Sequence, residues 1–324
     1  SSRGLGDVYK RQVYAIAIGL CMAATAVVAR RVGEKDLKGA NQAAVQVIFL
    51  GVSVSLIISV FGILYPKELL DLMGAEPDLI AEGYGYTQIL IGGNMTIMLL
   101  FLVNAIFRGA GNASIAMWTL ILSNGLNIIL DPMFIFGFGP IPEFGVEGAA
   151  IATTIGRGTA VIFQLAILFF GYSKIKITVK DLVFRAGVMF NLIKVSIGGI
   201  GQFLIGTSSW VFLMRIMSEF GSEVLAGYTI AIRVMMFTLM PAWGMSNAAA
   251  TLVGQNLGAK KPDRAEASVW KTGKYAAIFM GIVSVIYLVF ATQILSWFTT
   301  EPEVIKNGSL CLRILAAGYV LSLI

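Results

Sequence analysis

The feature that most constrains this chain is an internal repeat inside its apolar stretches. Residues 19–33 (GLCMAATAVVARRVG) align with residues 244–258 (GMSNAAATLVGQNLG), a shift of 225 residues (244 − 19). The same shift aligns residues 75–83 (AEPDLIAEG) with residues 300–308 (TEPEVIKNG). Because the register holds across two intervening apolar segments, we infer that one unit was duplicated and that the fold contains two similar halves.

The composition predicts that these halves lie in a membrane. Hydrophobic residues make up 57% of the 324 residues and charged residues only 13%, with a mean hydropathy of +0.82. A soluble core of this size cannot hide so much apolar surface, so we predict an all-α polytopic membrane protein. Nine stretches are long enough to cross a bilayer, the first and last of them incomplete: residues 13–32, 43–65, 84–107, 116–138, 146–170, 190–217, 224–253, 269–290 and 310 onward.

The net charge of +6 is distributed unevenly among the loops. Lysine and arginine accumulate in residues 30–38, 174–185 and 260–274, whereas alternate loops, such as residues 68–82, are acidic. Because basic loops stay on the cytoplasmic side, this pattern sets the membrane topology and does not indicate nucleic-acid binding. Both copies of the repeat then have their second glycine inside, so the duplication is parallel, about an axis along the membrane normal.

A parallel duplication of membrane helices is typical of transporters, because substrate sites form between such halves. Comparison of the two copies predicts two six-helix lobes truncated at both ends, and roughly twelve spans in an intact chain. Residues 1–12 are polar where the repeat requires helix, and we predict that they are a non-native leader. We assign the lobes to residues 13–175 and 190–324, with a cytoplasmic linker at residues 176–189.

One carboxylate, Asp131, lies well inside an apolar span. A charge at the bilayer centre costs about 3 kcal/mol on insertion scales, so a functional role is the first hypothesis for it. Asn127 lies one turn earlier on the same helix face, and Pro132 frees the carbonyl of Ile128 from its helical hydrogen bond. A carboxylate, an amide oxygen and a free carbonyl suit a proton or a hard cation such as Na⁺.

The spans at residues 116–138 and 146–170 are predicted to form an antiparallel hairpin that turns near residue 142. Residues whose numbers sum to about 284 then share a depth, which matches Thr153 with Asp131 and Arg157 with Asn127. We favour a cation site at Asp131, Asn127 and Thr153. Two alternatives remain open, an ion pair of Asp131 with Arg157 that only orients the helices, and a simple kink at the Asp-Pro pair.

Histidine is absent from the sequence, which excludes a histidine proton relay, a histidine metal centre and an HExxH protease. Cys21 and Cys311 lie in apolar spans, form no CxxC pair and give no basis for a disulfide framework. We therefore expect no cofactor, and no metal beyond a possible Na⁺ at Asp131. Gln202 is a polar residue within the span at residues 190–217, suited either to a cavity or to a contact between helices.

Together, four groups of residues resemble the multidrug and toxic compound extrusion (MATE) family from Gly19 to the end of the chain. They are residues 29–33 (ARRVG), 107–112 (FRGAGN), 127–132 (NIILDP) with 145–153 (GVEGAAIAT), and 254–259 (GQNLGA). The resemblance implies a twelve-helix antiporter with two six-helix lobes around a central cleft. It also implies export of amphipathic, often cationic, compounds in exchange for protons or sodium.

The resemblance assigns roles to particular residues. In the DinF-like and archaeal branches the amino-terminal lobe holds an acidic pocket, and Asn127, Asp131 and Thr153 match its members on the fifth and sixth helices. Asn104 matches a cavity asparagine of the fourth helix, and Arg157 and Gln202 are further candidates for the substrate cavity. The first-helix aspartate of that pocket is expected in a segment before this chain. Residues 190–217 hold no deep carboxylate where the NorM branch has a glutamate, which favours the DinF-like branch.

The sequence therefore predicts a cation-coupled antiporter, not an enzyme. We expect a multi-pass monomer in the inner (plasma) membrane, with a small amphipathic substrate and the bilayer as its partners. A lipid-linked oligosaccharide or polysaccharide flippase of the same superfamily is the alternative, because Arg108, Arg157, Arg215 and Arg233 could hold pyrophosphate. An intramembrane transferase would require a cluster of acid, base or nucleophile. A channel would not explain an acidic site in a single repeat.

Overall fold

The computed structural model describes residues 3–72 and 77–321, and within them nearly every residue is helical. This confirms the predicted all-α class. The eleven α-helices of the described residues are α1 (Arg3–Gly33), α2 (Leu37–Leu64), α3 (Pro66–Leu72), α4 (Pro77–Gly92), α5 (Asn94–Gly109), α6 (Ala113–Phe136), α7 (Gly145–Phe170), α8 (Ala186–Ser218), α9 (Ser222–Gly258), α10 (Pro262–Ser296) and α11 (Pro302–Leu321).

Seven of the described helices are long and apolar enough to cross a bilayer, or eight spans if the bent pair α4–α5 counts as one. The predicted span at residues 84–107 is that pair, which bends by 40° at the break between its two helices. The ninth prediction, from residue 310 onward, is not among these spans, and the charged residues of α11 in this part of the chain are Glu303, Lys306 and Arg313. Its last residues, 322–324, lie outside the described part.

The two copies of the repeat have the same turn conformation. Lys35 and Lys260, 225 residues apart, have φ values of 60° and 56°, a left-handed conformation that closes a helix end. Their N–H groups donate to the carbonyls of Val32 at 3.1 Å and Leu257 at 3.0 Å. The same shift relates three pairs of helix limits: Gly33 with Gly258, Leu37 with Pro262, and Pro77 with Pro302. The duplication read from the sequence is therefore present in the backbone, although residues 75 and 76 of its second segment lie outside the described part.

A hydrogen bond between helices is also duplicated. The Gln88 Nε2 of α4 donates to the Ile63 carbonyl of α2 at 3.2 Å. At the same shift, the Arg313 Nε of α11 donates to the Leu288 carbonyl of α10 at 3.2 Å. Equivalent positions in the two copies therefore both donate to a helix carbonyl, although one carries glutamine and the other arginine.

The helices form two compact units, Ser1–Thr207 with Leu257–Lys260, and Ser208–Asn256 with Lys261–Ile324. The core of the first is built mainly by α1, α2 and α5, and the core of the second by α10 and α11 with Ala231 of α9. Helix α1 begins at Arg3 and so runs through most of residues 1–12. The leader and the three domain limits remain predictions.

Helices α6 and α7 form an antiparallel hairpin that turns through residues 138–141, where two backbone hydrogen bonds of 3.1 Å close the turn. Glycines on α7 let the two backbones approach. Gly148 lies directly against the carbonyl of Phe134, and a Cβ at Gly156 would lie 3.0 Å from the carbonyl of Ser123. These two close approaches fix the depth of each α7 residue relative to α6.

Candidate cation site

The α6–α7 hairpin brings three polar side chains together. The Nδ2 of Asn127 donates to Oδ1 of Asp131 at 2.8 Å and to Oγ1 of Thr153 at 3.2 Å. Asn127 and Asp131 lie one turn apart on α6, Thr153 lies on α7, and all three are half-buried. The structure thus joins the three residues that the hairpin register selected from the sequence. We call this trio the carboxylate cluster.

The carboxylate cluster lies in the half of the span that the charge pattern places outside. Asp131 is about 8 Å along the helix axis from the end of α6 at Phe136. The helix has 24 residues and is about 36 Å long, so it exceeds the roughly 30 Å hydrocarbon core by little. With the orientation that the loop charges predict, the carboxylate lies inside the hydrocarbon region and closer to the outer surface than to the cytoplasm.

Further oxygen atoms at the cluster remain available to a ligand. Within the described residues, Oδ2 of Asp131 and Oδ1 of Asn127 have no hydrogen-bond partner, and Pro132 cannot donate to the Ile128 carbonyl. A proton needs only one of these oxygens, whereas Na⁺ requires several. A half-turn of the Asn127 amide would present its oxygen beside Oγ1 of Thr153.

The chemistry of this donor set favours light, hard cations. All its ligand atoms are oxygens, the type that such cations prefer. Groups of three or more His, Cys, Asp or Glu that could hold a metal ion are absent from the described residues. A single carboxylate among neutral oxygens suits a monovalent charge.

Arg157 does not pair with Asp131 in this structure. Its side chain is half-buried on α7, one turn from Thr153. The ion pairs among the described residues join Arg30 and Arg31 to Glu34, Arg31 to Asp36, and Lys306 to Glu303. The alternative in which Asp131 is held in an ion pair with Arg157 is therefore not formed, and the carboxylate has no described cationic partner.

Asn104 lies in the interior of the first unit rather than on an open cavity. Its side chain is 0% exposed, and its Oδ1 accepts from Nε2 of Gln164 on α7 at 2.8 Å. Gln164, which also donates to the Leu100 carbonyl at 3.4 Å, was missed by the sequence analysis. The signal was available, since Gln164 is an amide within the otherwise apolar last turns of α7. Asn104 Nδ2 and Gln164 Oε1 both lack a protein partner, which makes this pair a second polar spot within the bundle.

The remaining candidates do not join the carboxylate cluster. Gln202 is exposed on α8. Among the flippase arginines, Arg108 is half-buried at the end of α5 with an Nε that lacks a partner, and Arg233 is exposed on α9. The side chain of Arg215 lies outside the described part of the chain.

An all-helical membrane protein with a parallel repeat and an intramembrane carboxylate has the architecture of a secondary transporter. The MatE family model matches this chain over residues 11–133 and 200–324, which is more than half of its length. Each matched segment contains one copy of the repeated motif, residues 19–33 in the first and residues 244–258 in the second. The chain therefore belongs to the MatE family.

Individual relatives agree with this assignment. The chain is 26% identical to a probable multidrug resistance protein NorM of Thermotoga maritima over 97% of this chain and 68% of that protein. It is 23% identical to an FAD transporter of Shewanella oneidensis over 95% and 68% of the two chains. Across three curated relatives the chain spans between 58% and 68% of their length.

A solved structure shows the same fold. It is described as the outward-facing conformation of a multidrug resistance MATE family transporter of the MOP superfamily, and it matches with a TM-score of 0.90 and 27% identity. The match covers 99% of this chain and 71% of the other. The family model and this structure confirm the predicted family and fold class. They also confirm that the family is one of transporters and not of enzymes. The DinF-like branch remains a prediction.

Proposed function

We propose that this protein is a cation-coupled secondary antiporter that exports amphipathic, cationic drugs or metabolites in exchange for H⁺ or Na⁺. The observation that carries the proposal is the carboxylate cluster, in which an intramembrane Asp131 is joined to Asn127 and Thr153 and has no described cationic partner. Such a carboxylate is costly in a membrane unless it binds something. A coupling cation supplies the missing positive charge.

The cluster supports a simple scheme for exchange. A bound proton makes Asp131 neutral and a bound Na⁺ balances its negative charge, so in either case the desolvation cost of the site falls. With the cation released, the negative charge attracts a cationic substrate instead. Coupling then requires that the two ligands differ in their affinities for the outward-facing and inward-facing states, because a ligand shifts an equilibrium only by its differential affinity. The outer position of Asp131 supports entry of the cation from outside.

The setting of this activity follows from topology. The basic loops at residues 30–38, 174–185 and 260–274 place their side in the cytoplasm. We propose that the protein functions as a monomer in the inner (plasma) membrane, because Asp131, Asn127 and Thr153 meet within a single hairpin and do not require a second chain. We propose a small-molecule substrate, because one relative is a probable multidrug resistance protein and another is an FAD transporter.

The test is efflux of a fluorescent cationic dye from vesicles under an imposed proton or sodium gradient. Asp131→Asn should abolish gradient-driven efflux while leaving folded protein in the membrane, because an amide cannot take up a proton or balance the charge of Na⁺. Glu143→Gln is the matched control, since Glu143 is an exposed carboxylate on the same hairpin. Undiminished efflux by Asp131→Asn would sink the proposal.

A lipid-linked oligosaccharide or polysaccharide flippase is the second candidate. The name of one relative, an FAD transporter, favours an anionic cargo, since FAD carries a pyrophosphate. Arg108, half-buried with an unpartnered Nε, is the described cation best suited to such a cargo in the first unit. Binding of lipid-linked sugar with no dye movement in either protein would favour this candidate.

A further inference from the structure

The segment between α7 and α8, residues 171–185, is fixed to the first unit. Ile175 and Ile177 are 0% and 1% exposed and belong to its main core. The N–H of Ile177 donates to the carbonyl of Leu168 at 3.0 Å, which ties the segment back to α7. Because these two buried isoleucines alternate with exposed residues, Lys174 and the other exposed residues of this alternation point away from the core.

Gln46 of α2 fixes the depth of the segment. Its Nε2 donates to the Val183 carbonyl at 2.8 Å, and its Oε1 accepts from the Arg185 N–H at 3.0 Å. Gln46 lies about 27 Å along the helix axis from the outer end of α2 at Leu64. Since the hydrocarbon core is about 30 Å thick, residues 183–185 lie at its cytoplasmic boundary.

The outward surface of the segment is both basic and apolar. Val179 is 80% exposed and Phe184 is 62% exposed, although contact of these apolar side chains with water is unfavourable. The one carboxylate of the segment, Asp181, is occupied by two hydrogen bonds from Thr178. The basic residues on this surface are all exposed: Lys174, Lys176, Lys180 and Arg185. We call residues 174–185 the linker surface.

We propose that the linker surface binds the anionic headgroups of the cytoplasmic leaflet, with Phe184 inserted at the level of the acyl-chain boundary. Depth, charge and exposed apolar side chains agree, because interfacial segments combine Lys or Arg at the headgroups with aromatic or aliphatic residues below them. The partner is the lipid layer itself. Since Gln46 holds the segment to α2, lipid bound here is attached to the first unit.

The first test measures the lipid retained by the protein from a mixture of phosphatidylglycerol and phosphatidylcholine. The variant Lys174→Gln, Lys176→Gln, Lys180→Gln should lower the retained ratio of anionic to zwitterionic lipid by about fivefold or more. The control removes the same charge from exposed positions of the second unit, with Lys261→Gln, Arg264→Gln and Lys271→Gln. An unchanged ratio, or an equal loss in the control, overturns the proposal.

The second test locates Phe184 directly and does not depend on the lysine variants. A fluorophore is attached at Phe184→Cys in a Cys21→Ala, Cys311→Ala background and reconstituted in bilayers. Quenchers on lipid chains should reduce its fluorescence severalfold more than aqueous iodide. Quenching by iodide alone would mean that the residue faces water, and quenching by neither would mean that protein covers it. Both results contradict the proposal.

Discussion

Asn127 organises the carboxylate cluster, because one amide donates to both Asp131 and Thr153. The sequence was sufficient to select these residues, since intramembrane polar side chains are few and the hairpin register pairs them. It could not identify Gln46, whose partners Val183 and Arg185 lie 137 and 139 residues away. Contacts between residues so far apart in the sequence depend on how whole helices pack, which local patterns do not encode.

A prediction at the residue scale concerns Asp181. The Thr178 hydroxyl and backbone N–H donate to this carboxylate at 2.6 Å and 2.9 Å and hold its pKa below the usual value, with Lys38 and Arg185 adding to the effect. A depressed pKa stabilises the folded state above the unfolded pKa of about 4, and the stabilisation disappears as the pH falls through the folded value.

Asp181→Asn should therefore lower Tm at neutral pH by a small amount, because the carboxylate is only half-buried and water screens its charge. The difference in Tm between the variant and wild type should shrink below about pH 4. It should vanish once the Asp181 carboxyl group is protonated in both the folded and the unfolded state. Thermal unfolding between pH 7 and pH 2 measures it. A Tm difference that is constant with pH would show that the carboxylate charge does not stabilise the linker surface.

At the scale of elements, the α6–α7 hairpin was predictable because its helices are long and its turn is short, so one sum of residue numbers fixed the register. The break between α4 and α5 was not predictable from the sequence. The sequence shows two adjacent glycines, Gly92 and Gly93, which fit close packing and bending equally well. In the structure both apply: the chain bends by 40° there, and a Cβ at Gly93 would lie 3.0 Å from Thr154 of α7.

The hairpin gives a prediction about Gly148. A Cβ at this position would collide with the Phe134 carbonyl, so Gly148→Ala must separate α6 from α7 near the carboxylate cluster. We expect a loss of about 1–3 kcal/mol in stability and weaker gradient-driven efflux. Gly125→Ala on α6 is the control, because its added Cβ meets nothing within 4 Å and should stabilise the helix by up to about 1 kcal/mol.

Thermal unfolding in lipid and dye efflux measure both variants. If Gly148→Ala matched Gly125→Ala in both assays, close approach of the two backbones would not be required for the cluster.

At the scale of the whole molecule, the duplication was the most reliable guide. A shift of 225 residues predicted from two short motifs reappears in helix limits, in the left-handed Lys35 and Lys260, and in the hydrogen bonds of Gln88 and Arg313. The backbone is therefore duplicated more faithfully than the chemistry. The linker surface shows the limit of this guide, because residues 174–185 lie outside the aligned segments and the repeat therefore predicts nothing about their conformation.

The central claim is that Asp131 binds the coupling cation, and infrared difference spectroscopy of the protein in lipid tests it most directly. Titration with acid, or with Na⁺ at fixed pH, should produce a carboxyl difference signal that is lost in Asp131→Asn and kept in Glu143→Gln. The titration that gives the signal identifies the coupling ion. If Asp131→Asn keeps the full signal, the cation binds elsewhere and the account is wrong.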